Sequence, residues 1–89
     1  MPPHTDEHPI SEAIRNFLAQ EGVENDLDVQ TQAVEGLFAR VLVTDTTREL
    51  TPIFGFLKKS AGAWTVLAAG TDFEPEFFRA HQVPPGLHL

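Results

Sequence analysis

Leu50 to Gly70, LTPIFGFLKKSAGAWTVLAAG, is the stretch that most limits what this chain can fold into. Ile53, Phe54, Phe56 and Leu57 on one side, and Trp64, Thr65, Val66 and Leu67 on the other, are aromatic, aliphatic or β-branched. Such side chains suit a pleated, half-buried surface. Between them lie Lys58, Lys59, Ser60, Ala61 and Gly62. Gly62 readily adopts the positive φ that a short hairpin loop requires. The pattern predicts two antiparallel strands joined by a tight turn at Ser60-Ala61-Gly62, with the two lysines solvating the strand end and opposing edge-to-edge pairing. Alternation sends Trp64, Val66 and Ala68 to one face, and Ala63, Thr65, Leu67 and Ala69 to the other. Neither set is polar, so neither face is expected to lie open to water.

The rest of the chain reads as support for this hairpin. Met1 to His8 holds prolines, histidines and acids with no apolar residue after Met1, the composition of a flexible, dispensable tail. Ile10, Ile14, Phe17 and Leu18 then fall at i, i+4, i+7 and i+8, one face of a helix, opposite Glu12, Arg15, Asn16 and Gln20. His8 or Ser11 caps its start and Gly22 stops it. Phe17 is expected in the core. Asp28 to Ala33 alternates weakly, Glu35-Gly36 turns the chain, and Leu37 to Thr44 is a clear strand. In that strand Leu37, Ala39, Val41 and Val43 form an apolar face, and Phe38, Arg40, Leu42 and Thr44 a mixed one. Asp45 to Glu49 suits a turn. Pro75 at a first helical position, with Glu74 as cap and Phe73 and Phe78 as a hydrophobic staple, predicts a short helix ending by about Gln82. Pro84-Pro85 extends the chain beyond it, and Leu87 pins the end to the core.

The predicted order is helix, four strands, short helix. Short loops between strands favour antiparallel neighbours. The expected fold is therefore α+β: residues 9–89 form one domain, an N-terminal helix packed on a four-stranded antiparallel meander, with a flexible tail at 1–8. The arrangement is similar to a cystatin-like fold. The C-terminal third, with Lys58-Lys59, Gly62, Trp64, Val66, Gly70, Phe73 and the closing Val83-Pro84-Pro85-Gly86-Leu87, resembles small bacterial proteins of unknown function that are often exported or lipid-anchored. That resemblance implies a fold and no catalytic residues.

Charge and composition narrow the function classes. With 13 acidic and 6 basic residues the formal net charge is −7, and the longest basic run is Lys58-Lys59. A nucleic-acid binder shows a basic patch, and an anionic membrane repels such a chain; neither partner is expected. The start has no basic segment followed by an apolar one, so it does not read as a signal peptide, and no window is apolar enough to span a bilayer. A cytoplasmic location is expected. The absence of cysteine excludes disulfides, thiolate metal sites and cysteine nucleophiles.

Chemistry-bearing residues are sparse. His4, Asp6, Glu7 and His8 are candidate metal ligands, but Pro9 follows directly and a solvated tail is the plainer reading. Glu24, Asp26 and Asp28 alternate as calcium ligands do, yet the loop glycine and closing glutamate of such a site are missing. Ser11, Ser60 and His81 fall at a helix start, a turn and a helix end, with no arrangement of nucleophile, base and orienting group. No catalytic residue, metal or cofactor is expected. Phe38, Leu42, Phe54, Phe56 and Trp64 remain as candidate binding residues. They predict a sheet face that needs cover, from a second copy, from a protein partner, or from Phe77, Val83 and Leu87 of the same chain. Three readings follow: a non-catalytic interaction module, homodimeric through its sheet; a binder of small ligands or peptides, inhibitor-like but without the Gln-x-Val-x-Gly loop of cystatins; and a metal-dependent enzyme using the N-terminal histidines.

Overall fold

The computed structural model describes residues 7–23, 26–49 and 51–88. The elements run α1 (Glu7–Gln20), β1 (Leu27–Glu35), β2 (Phe38–Asp45), β3 (Ile53–Ser60), β4 (Ala63–Gly70), α2 (Pro75–His81) and a 3-10 turn at Pro85–Leu87. The strands form one sheet in the order β1-β2-β3-β4, each neighbour antiparallel. This is the expected α+β meander with a helix at each end. No helix among the described residues is long and apolar enough to cross a membrane.

Ile10, Ile14 and Leu18 of α1 are buried against Ala39, Val41 and Val43 of β2, Leu57 of β3 and Trp64 of β4. Phe17, expected in the core, is only half-buried at the edge of this stripe. The helix starts at Glu7, so His8 is helical and not part of the expected tail; residues 1–6 of that tail lie outside the described residues. Pro9 is tolerated because the first turn of a helix leaves its N–H groups unpaired anyway. At the other end Val23 donates its N–H to the Leu18 carbonyl at 3.0 Å. Gly22, at φ +91°, turns the chain toward the sheet.

The two hairpins use different turns. Gly36 alone has positive φ in the β1–β2 connection, the type II′ pattern. The turn residues are therefore Gly36 and Leu37, and Leu37 leaves the expected apolar face to stand 55% exposed. In the β3–β4 connection Ala61 (φ 52°) and Gly62 (φ +79°) both take the left-handed region, the type I′ pattern. An alanine Cβ is disfavoured there by about 1–2 kcal/mol, whereas Asn-Gly is the preferred pair. Ala61→Asn is accordingly expected to raise the melting temperature by about 2–8 °C. Thermal unfolding followed by circular dichroism checks this, and an unchanged or lower midpoint counts against a type I′ turn.

Irregularity in β4 explains where simple alternation fails. Leu57 pairs with Val66 but Phe56 with Ala68, so Leu67 is an extra residue in β4, a β-bulge. Beyond it the faces exchange. Ala69, not Ala68, packs on the helix side, and Leu67 joins the opposite side.

That opposite side is a second core. Phe56, Phe78, Val83 and Leu87 are buried together, with Phe38, Phe54, Phe73 and Phe77 packed around them. The Phe56 ring meets Phe73 and Phe78 edge-on at 4.8 and 5.3 Å. Phe73 and Phe78 sit at the two expected staple positions, their rings 6.3 Å apart across Glu74 at the N-cap. Arg40 reaches from β2 to donate to the carbonyls of Leu87 at 3.0 Å and His88 at 3.2 Å, and to Gln32 Oε1 at 2.9 Å. The His88 ring stacks on Phe78 at 4.2 Å. The domain is thus three layers: α1, the sheet, and the segment from Phe73 to His88.

Candidate ligand-binding site

The five aromatic and aliphatic residues singled out in the sequence do not form one site. Register places Phe38, Leu42, Phe54 and Phe56 on one face, with Leu42 opposite Phe54 and Arg40 opposite Phe56. Trp64, paired with Lys59, lies on the other face and belongs to the α1 core. Phe56 is 1% exposed beneath α2, and Phe38 and Phe54 pack on the same cluster. Phe77, Val83 and Leu87 cover this face within one chain, the intramolecular alternative open in the sequence. After the extended Pro84 (φ −60°, ψ 144°), the 3-10 turn at Pro85–Leu87 sets Leu87 into the second core.

Residues able to carry chemistry are spread apart. Among the described residues no group of three histidine, aspartate or glutamate side chains is placed to hold a metal. His4 and Asp6, and Glu24 of the acidic run, lie outside the described residues. Asp26 accepts from Thr46 Oγ1 at 3.2 Å through its carboxylate. Asp45, buried, accepts from the Thr47 N–H at 2.9 Å, the Thr47 hydroxyl at 2.7 Å and the Glu49 N–H at 3.1 Å. That set is an Asx-type turn that shapes the β2–β3 loop. Ser11 accepts from Arg15 Nε at 3.1 Å, Ser60 is exposed at the hairpin end, and His81 is exposed beside the Phe77 ring.

The chain instead forms a hollow of about 300 Å³ at one end of the helix–sheet interface. Its walls are Leu18 and Val23 above, Leu27, Val43 and Ile53 of β1, β2 and β3 below, and Thr51 and Thr71 at the loops. The cause is a mismatch of lengths. Helix α1 stops at Gln20, while β2 continues to Asp45 and β3 begins at Ile53. The helix therefore covers Ala39 and Val41 fully but reaches Val43 and Ile53 only with its last buried apolar residue, Leu18, and the following Val23. Among the described residues no charged side chain lines the hollow. Both threonines are exposed.

None of these residues carried a signal in the sequence. Leu18, Val43 and Ile53 read as ordinary apolar-face residues and Val23 as part of a loop, and all come from separate segments that only the meander brings together. The apolar pattern gave no measure of how far the helix would fall short of the strands. Comparison with protein-family models, with curated proteins and with solved structures finds no significant match for this chain.

Proposed function

We propose that the chain is a non-catalytic binding module for a small apolar molecule, held in the hollow between Leu18, Leu27, Val43 and Ile53. The observation that carries this reading is the hollow itself: carbon-lined, about 300 Å³, and roofed by a helix that ends short of its sheet. Small-molecule sites are mostly apolar clefts with a few polar groups at defined places, and about 300 Å³ is the lower end of their size range. An apolar cavity of about 150 Å³ takes a benzene ring. The hollow therefore suits a ligand of roughly twice that bulk, a fused ring pair or a short alkyl chain. Thr51 and Thr71 supply hydroxyls for one polar end. With no charged side chain among the described lining residues, a charged head would remain outside in water.

The test uses hexan-1-ol and naphthalene as probes and methyl NMR as readout. Saturable shifts are expected at the methyl groups of Leu18, Leu27, Val43 and Ile53, with those of Ile10 and Leu87 unmoved. Val23 is half-buried on the loop, so Val23→Trp is expected to fill the hollow and abolish the shifts while the protein stays folded. Shifts spread over the whole protein, or none up to the solubility limit of both probes, would overturn the reading.

A further inference from the structure

We propose that the outer edge of β4 docks a second copy of this chain, the two β4 strands pairing antiparallel about Thr65. The proposal does not use the hollow and stands or falls independently of it. Strand β4 is an edge of the sheet, since among the described residues β3 is its only neighbour. Its sequence, AWTVLAAG, has no charge and no proline over eight residues, and its bulge at Leu67 leaves the stretch from Ala63 to Val66 regularly paired and free for docking. Natural sheets guard such edges with charged side chains, proline or bulges. The opposite edge is guarded: β1 carries Asp28 and Glu35 and an irregularity between Thr31 and Ala33. Lys58 and Lys59, expected from the sequence to guard an edge, fall on β3, which is interior to the sheet.

The backbone groups available on this edge follow from the pairing. The Lys59 N–H donates to the Leu37 carbonyl at 2.7 Å, toward β2 and away from β4. Lys59 and Trp64 are therefore a non-hydrogen-bonded pair, and the N–H and C=O of Trp64 point outward. Two residues on, those of Val66 do the same. Among the described residues no turn, loop or cap hydrogen bond reaches either residue. Antiparallel pairing requires outward groups to face outward groups. The register that sets Trp64 against the copy's Val66 satisfies this and repeats it by symmetry, as a twofold interface demands. It also sets Thr65 against the copy's Thr65. Aromatic with β-branched and threonine with threonine are both favourable cross-strand pairs. No like charges meet along this edge, although each chain carries a net charge of −7.

Trp64 also shapes the helix side of this edge. Trp64 Nε1 is buried with no hydrogen-bond partner among the described residues. Trp64 lines an open cleft of about 310 Å³ between α1 and β4, with Asn16 and Gln20 on its helix side.

Thr65 is exposed, and the chain has no cysteine, so one substitution gives a clean test. Non-hydrogen-bonded antiparallel partners have Cα atoms about 4.5 Å apart, within disulfide reach. Thr65→Cys is expected to oxidise to a disulfide-linked dimer many times faster than Ala80→Cys, an exposed position on α2. Sedimentation of the unmodified protein should show a monomer–dimer equilibrium. Thr65→Lys, which sets like charges opposite each other, should raise its midpoint about tenfold or more with the melting temperature held. A wild type that remains monomeric at about 0.5 mM overturns the proposal and leaves the edge to a different strand. So does a dimer that Thr65→Lys leaves intact, or equal cross-linking at both cysteines.

Discussion

Replacing Phe56 by alanine is expected to destabilise the domain by roughly 3–5 kcal/mol, the range for deleting a buried aromatic side chain. Phe56 is 1% exposed and its ring touches Phe73, Phe77 and Phe78, with centroids at 4.8, 5.6 and 5.3 Å. Each edge-on aromatic pair adds about 0.5–1.5 kcal/mol beyond its buried area. Deletion also leaves a cavity that the sheet cannot close, because Phe56 is fixed between β2 and β4 by its ladder partners Arg40 and Ala68. Small domains are held by about 5–15 kcal/mol in all, so the variant should be partly unfolded at 37 °C. Guanidinium titration with Trp64, the only tryptophan, as fluorophore measures the loss. Phe56→Leu, which keeps most of the apolar volume, should lose clearly less. A loss below about 1 kcal/mol for alanine would mean that α2 and the closing turn are a loose cover and not a second core.

That second core shows how far the sequence could be read. The helix at Ile10, Ile14 and Leu18 and the β3–β4 hairpin were legible because their apolar periods, near 3.6 and 2, are local properties of the chain. The cap at Glu74 and the Phe73–Phe78 staple were legible for the same reason. Which faces the phenylalanines occupy was only half legible. Alternation correctly puts Phe38, Leu42, Phe54 and Phe56 on one face, but what covers that face depends on where the chain after Gly70 travels. Arg40 was also unreadable. It sits in a mixed face as a solvated cation would, yet its guanidinium ties down the carbonyls of Leu87 and His88, some 47 residues away. The bulge at Leu67 left no signature either, since apolar residues occupy both sides of it. The hollow was out of reach altogether, because it arises from the difference between a helix length and a strand length.

Gly55→Val is expected to be nearly as damaging as loss of Phe56, for the opposite reason. Glycine inside a strand is ordinarily a weakness, and it persists where another group must approach closely. Gly55 lies on β3 opposite Val41, directly beneath α1. A Cβ built there would stand 2.8 Å from Ile14 Cδ1 and 2.9 Å from Val41 Cγ2, well inside van der Waals contact. Its φ is not in the left-handed region, so space and not backbone conformation excludes a side chain. Gly55→Ala adds that single carbon and should cost about 1–3 kcal/mol, somewhat offset by a stiffer unfolded chain. Gly55→Val adds two more carbons with a rigid χ1, and either α1 must lift from the sheet or β3 must leave its register; about 3 kcal/mol or more is expected. Ile14 and Val41 are both fully buried, so neither can swing aside into water. The cause can be isolated with Ile14→Val, which removes the Cδ1 atom and alone costs about 0.5–1.5 kcal/mol. In the Gly55→Ala background the same change should cost less, or even stabilise, giving a coupling of at least about 0.5 kcal/mol. Additive losses, or an alanine that stabilises by itself, would show that α1 does not pack down onto β3 at this point. The depth at which Leu18 sits over Val43, and with it the size of the hollow, would then have to be different.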